Sequence, residues 1–152
     1  MVLVFAHPDD EVLWASSMLM KADKVITCFS DSFDDIELSN ARRKAIKSYP
    51  LDNFINLGVK ETGVFKSSNW RNPVDTEHGV LCARNYQNYM KAFDTIKLKL
   101  LSLISKDQTI ITHNPWGEYG HEEHVLVYKV VQSIANELGL NIIVPGYVSN
   151  RS

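Results

Sequence analysis

Short apolar runs of strand composition alternate along this chain with stretches whose apolar residues recur every three or four positions, and that alternation restricts the fold more than any other feature. Val2-Leu3-Val4-Phe5 is a continuous apolar run that stops at His7-Pro8, as suits a strand buried on both faces of a parallel sheet. Residues 11–21 follow with Val12, Leu13, Leu19 and Met20 at helical spacing, and with acidic residues at the start where the helix dipole favours them. Residues 24–29 read as a second strand. Ser39-Asn40 can cap a helix that runs to Tyr49 and ends at Pro50, and residues 53–57, closed by Gly58, read as a weaker third strand.

Residues 58–80 hold Gly58, Gly63, Pro73, Gly79 and Trp70 among polar residues and read as a long functional loop. From 81 to 105 the residues Tyr86, Tyr89, Met90, Phe93, Ile96, Leu100, Leu103 and Ile104 make one apolar helix face. A strand at 109–112, a helix at 121–138 stopped by Gly139, and a last strand at 141–144 complete the pattern. The expectation is an α/β, Rossmann-like fold: one domain over 1–152, with a mostly parallel sheet flanked by helices. Ligands in such sheets bind beyond the carboxyl ends of the strands where strand order reverses. Polar motifs follow the first and fourth strands directly, so they meet if those strands are neighbours.

The 152 residues suffice for one sizeable core, and a 45% hydrophobic, 22% charged composition is that of an ordinary globular chain. A net charge of -2 argues against a nucleic-acid partner. Arg42-Arg43-Lys44 is the one short basic cluster, with the solvated face of a helix as its plainest explanation. The two cysteines, Cys28 and Cys82, the latter near an expected helix start, frame no metal site and read as reduced and structural. The apolar stretch 1–6 is too short for a signal-peptide core or a membrane span, which makes a cytoplasmic location the expectation.

His7 and Asp10 stand three residues apart across a strand-to-helix turn, and His121 and His124 stand three apart near a helix start. Imidazoles and a carboxylate at such spacings can converge on one metal ion, and two His with one carboxylate are a common hydrolytic zinc set. Taken singly, each has an ordinary structural explanation as a cap or dipole partner. Together at strand ends they point to a metal site.

The segments Phe5-Ala6-His7-Pro8-Asp9-Asp10-Glu11 and Gly117-Glu118-Tyr119-Gly120-His121-Glu122-Glu123-His124 resemble the two hallmark segments of the PIG-L/LmbE-like family of zinc-dependent N-acetylglucosaminyl de-N-acetylases. The resemblance implies one zinc ion held by His7, Asp10 and His124, with Asp9 as general base, and the same donor types also accept iron, cobalt or nickel. Adjacent carboxylates in a turn point in different directions, so one can hold the ion while the other faces its water. Zinc lowers that water's pKa from roughly 15.7 to about 7, and a carboxylate can take the proton as the hydroxide attacks an amide. His121 or the Tyr119 hydroxyl would help stabilise the oxyanion, and a protonated His121 would supply the leaving amine.

Arg42 matches a substrate-holding Arg of the family, but the Glu that follows it there by three residues is Ala45 here, which leaves its orientation open. Trp116 and Trp70 are candidates to stack on a sugar. His113 reads as a hydrogen-bonded support for the site or as a core histidine, in preference to a fourth ligand; Glu11 reads as structural or as a support behind the site, and Glu122 and Glu123 as partners of the helix dipole. The implied partner is a small molecule or glycan bearing an N-acetyl group. The chain is short for the family, which leaves open a more exposed cleft, completion by another subunit of an oligomer, or a compact variant. Other readings of the same ligand types are a metal-dependent phosphoesterase, a non-haem iron oxygenase, or a catalytically weak sugar-binding module.

Overall fold

The computed structural model describes residues 1–147. Strand β1 (Val2–Phe5) is buried along its whole length, and its alternation divides the core. Val2 and Val4 join the larger cluster, with Ile26, Cys28, Ile96, Leu100, Leu126, Val130 and Ile134. Leu3 and Phe5 point the other way, to Ala15, Val25 and Ile111, with Trp14, Met18 and Leu19 packed against them.

After β1 come α1 (Asp10–Ala15), a 3-10 segment (Ser16–Lys21), β2 (Lys24–Asp31), α2 (Ile36–Lys47) and β3 (Phe54–Lys60). A two-residue hairpin, β4 (Asp75–Thr76) and β5 (Gly79–Val80), leads into α3 (Tyr86–Leu101) and β6 (Thr109–Thr112). A single turn α4 (Gly117–Gly120), the long α5 (Glu122–Leu138) and β7 (Asn141–Ile143) follow. The main sheet is parallel in the order β3-β2-β1-β6-β7, an α/β fold as expected. Strand order reverses between β1 and β6, so the two polar motifs do emerge side by side. Among the described residues no helix is long and apolar enough to cross a membrane.

Several expected boundaries move. The helix expected at 11–21 breaks at Ala15 (φ -142) into α1 and the 3-10 segment, just before Ser16-Ser17, a residue type of lower helix preference. Helix α2 starts earlier than Ser39: Asp35 is its cap, accepting from Leu38 N at 2.9 Å, and Ser39 lies inside, bonded to Ser32 N and the Asp35 carbonyl. Helix α3 starts at Tyr86, not near residue 81. Leu81 N and Ala83 N are bonded to the carbonyls of Val74 and Ser67, which holds that stretch, with Cys82, against the preceding loop. Cys28 and Cys82 are buried and free.

The shift in β3 matters most. Gly58 does not end it: at φ 68, with its N–H donated to Asn56 Oδ1 at 2.8 Å, Gly58 sits where the register against β2 slips. Such a bulge re-aims the strand beyond it. The strand continues to Lys60, and Glu61 and Thr62 arrive at the mouth formed by β1 and β6.

Candidate metal centre

The ends of β1 and β6 are tied together by a histidine. Ala6 N–H donates to His113 Nε2 at 2.9 Å, so that nitrogen is an acceptor, and the proton of the neutral ring sits on Nδ1, 3.0 Å from Glu118 Oε2. His113 stacks on His124 with ring centroids 3.9 Å apart. Although Asp10, His113 and His124 bring donor atoms within 4.8 Å of one another, the Ala6 amide occupies the His113 lone pair. His113 is therefore a support for His124.

His7 and His124 share one arrangement. His7 Nε2 lies 2.9 Å from Glu123 Oε2 and its Nδ1 lies 3.2 Å from Asp10 Oδ2. His124 Nδ1 lies 2.7 Å from Glu118 Oε2 and its Nε2 lies 3.4 Å from the same Asp10 oxygen. In each ring the nitrogen facing away from the centre donates to a buried carboxylate, and the other converges on Asp10. This carboxylate–histidine pattern fixes the tautomer of metal-ligating imidazoles. His124 Nε2 is buried without a hydrogen-bond partner, a costly condition unless something electropositive is bound there. The donor set and the orphaned nitrogen both fit a divalent ion.

Two buried carboxylates and one partly buried indole hold this cluster. Glu118, in a left-handed conformation (φ 58), also accepts Asn114 N–H at 2.9 Å. Glu123 Oε1 accepts from Thr62 N and Oγ1 at 2.6 and 2.7 Å. Trp14 Nε1 donates to Asp10 Oδ1 at 3.3 Å. Electrostatics follow: burial opposes ionisation of Glu118, but His113 and His124 outweigh it and bring its pKa down to about 2. Burial and the neighbouring Asp10 raise Asp9, a direction that suits a proton acceptor.

Asp9 itself is at φ 141, ψ -27, a conformation that a non-glycine residue rarely adopts. Its N–H donates to Glu11 Oε2 at 3.1 Å, and the other oxygen of that buried carboxylate accepts from the Tyr49 hydroxyl at 2.7 Å. His121 caps α5, its Nδ1 accepting from Glu123 N at 3.3 Å, and its ring stacks on His124 at 4.4 Å. Tyr119 stands edge-on to both imidazoles, 5.9 and 5.5 Å away.

The chain matches the PIG-L family, described as GlcNAc-PI de-N-acetylase, over residues 2–135. It belongs to the PIG-L family. The chain is also similar to an uncharacterised protein, L374, of Acanthamoeba polyphaga mimivirus, 23% identical over 139 residues, which cover 88% of this chain. It spans little more than half, 56%, of that relative's length. The family's description names a de-N-acetylase, an enzyme that hydrolyses an amide bond.

Seen as a PIG-L domain, the chain brings His7, Asp10, His121 and His124 together with Asp9 beside them. Arg42 reaches the same mouth and is paired with Glu61, which also accepts Phe33 N–H at 3.2 Å. The carboxylate that Ala45 lacks is thus supplied by the end of β3. Trp116 turns its indole N–H to the Tyr147 carbonyl at 2.8 Å, and Trp70 packs over Gly120. The supporting roles of Glu61, Thr62, Glu118 and Glu123 escaped sequence reasoning. The one signal available was Gly58 inside a strand pattern, which marks a bulge.

Proposed function

We propose that this PIG-L member is a zinc-dependent N-deacetylase, with His7, Asp10 and His124 holding one ion. The observation that carries the reading is the buried, unpartnered Nε2 of His124 facing Asp10, with a second imidazole held in the same way opposite. His121 also brings a donor atom within 4.8 Å of donors on His7 and His124. Its Nδ1, however, already takes the Glu123 amide, which favours Asp10 as the third ligand. A bound divalent ion would supply a water of lowered pKa and polarise an acetyl carbonyl.

The chain's own residues do the rest. Asp9, held in its strained conformation by Glu11, accepts the proton of the water whose oxygen bonds to the acetyl carbon. The carbon–nitrogen bond then breaks, the proton passes to the departing nitrogen, and acetate and the free amine result. With Nδ1 engaged, neutral His121 carries its hydrogen on Nε2 and acts as a donor to the oxyanion. Burial and the neighbouring His124 and His7 keep its pKa well below the ordinary value, which favours that donor role over delivery of a proton from the imidazolium. The Tyr119 ring, edge-on to His121 and His124, supports a helping role for its hydroxyl.

The substrate is an N-acetylglucosamine-type sugar or conjugate. A two-metal phosphoesterase would need a second ion near His7, Glu61 and Glu123, and there Glu61 is engaged by Arg42 and Glu123 by Thr62. The test is amine release from a panel of N-acetylated sugars, with metal content measured on the same preparation. Loss of activity on chelation and recovery with zinc are expected. Full activity in metal-free protein, or no amine released from any member, contradicts the reading.

A further inference from the structure

Beside the metal centre lies a cavity of about 280 Å³, close to the lower bound of roughly 300 Å³ for small-molecule sites, lined by Leu38, Arg42, Glu61, Phe65, His121 and Glu123. Its apolar surface is Phe65, whose ring stacks on His121 with centroids 4.6 Å apart, and Leu38.

The charges of this wall decide what else fits. Among its described lining residues Arg42 is the one Lys or Arg side chain, and the Glu61 carboxylate holds it, with less than a fifth of either side chain exposed. Glu123 adds a second carboxylate. The adjoining cavity, which shares Glu61 and Phe65, adds one charge of each sign, Arg84 and Asp34, and the Arg84 guanidinium is turned onto the carbonyls of Gly63 and Phe65. Arg42 and Arg84 stand with Glu61, Glu123 and Asp34, and the Lys66 and Lys60 ammonium groups lie over the Phe65 and Phe33 rings, so the pairing of Arg42 by Glu61, and not a net charge, decides what fits at Arg42.

We infer that Glu61 is a specificity-determining residue: by engaging Arg42 it shapes the cleft for an uncharged N-acetyl sugar and against one bearing phosphate or carboxylate where the substrate passes Arg42. The inference rests on the deacetylase reading and goes beyond it by fixing which charge the substrate can carry at Arg42. An anionic group brought to Arg42 meets the Glu61 carboxylate at close range, and like charges juxtaposed in a partly buried site are strongly disfavoured. A neutral hydroxyl meets a donor and an acceptor already in place.

The experiment compares kcat/KM of the zinc-loaded protein for the methyl glycoside of N-acetylglucosamine and for N-acetylglucosamine 1-phosphate, in the wild type and in Glu61→Gln. The wild type should prefer the neutral glycoside by about tenfold or more, and Glu61→Gln should shift the ratio toward the phosphate by a similar factor. The ratio does not depend on how far overall activity falls. Calorimetric titration of metal-free protein with both sugars should show the same order of affinity. If Glu61→Gln does not fold, the wild-type comparison still decides. If neither sugar is hydrolysed, the deacetylase reading fails on these substrates, and calorimetry still tests the cleft. A wild type that prefers the phosphate in turnover or binding, or a Glu61→Gln ratio equal to the wild-type ratio, overturns the inference.

Discussion

His124 turns Nε2 toward Asp10 Oδ2 at 3.4 Å while Glu118 holds the opposite nitrogen of the same ring at 2.7 Å. The first contact offers a lone pair to an ion and the second fixes which nitrogen has it to offer. Glu118→Gln keeps the shape but weakens the acceptor. Zinc affinity should fall about 10- to 100-fold, the usual cost of losing such a partner. A competition titration with a chromophoric chelator measures it, and an unchanged affinity would mean that Glu118 is a packing residue only.

Tyr49 acts at a distance. Its hydroxyl holds Glu11, and Glu11 holds the backbone of Asp9. Tyr49→Phe removes the hydroxyl while keeping the ring that stacks on Phe54 at 3.7 Å. We expect kcat to fall about tenfold, as slight misplacement of a reacting group does, with KM and bound zinc unchanged. Loss of zinc, or a change in KM alone, would assign Tyr49 a different role.

Gly120 joins the Trp70 loop to the helix that bears His121 and His124. It lies at φ +80, and a Cβ there would meet the Trp70 ring at 3.1 Å. Gly120→Ala should cost about 1–2 kcal/mol from the left-handed backbone alone, together with displacement of Trp70. Chemical denaturation reads the change, and an unaltered midpoint would show that the loop yields freely.

The parallel sheet and the meeting of the two motifs were legible because β1 and β6 are short, apolar and followed at once by polar residues. Local pattern carries that much. The supports of the centre were not legible, because each depends on a contact between distant segments: Glu61 on Arg42, Glu123 on Thr62 and His7, and Tyr49 on Glu11. Glu122 illustrates the ambiguity. It has the same place in the first turn as Glu123, yet it accepts the backbone N–H groups of Lys66, Ser67 and Ser68 and anchors the loop, while Glu123 faces His7. A dipole argument treats the two alike. The late start of α3 has the same origin, since the 81–85 stretch is held by the preceding loop, whereas the early start of α2 is local: Asp35 is bonded to Leu38 and Ser39 of that helix.

The account rests on a division of labour between two adjacent aspartates, and measuring zinc stoichiometry and amine release together for Asp9→Ala and Asp10→Ala, at saturating zinc, tests it most directly. Asp10→Ala should lose metal and activity in parallel, because its carboxylate faces both His7 and His124. Asp9→Ala should keep the ion and lose about 10²- to 10⁴-fold in rate, the usual cost of removing a general base. Loss of metal from Asp9→Ala with retention in Asp10→Ala, or near-normal turnover in Asp9→Ala, would contradict it.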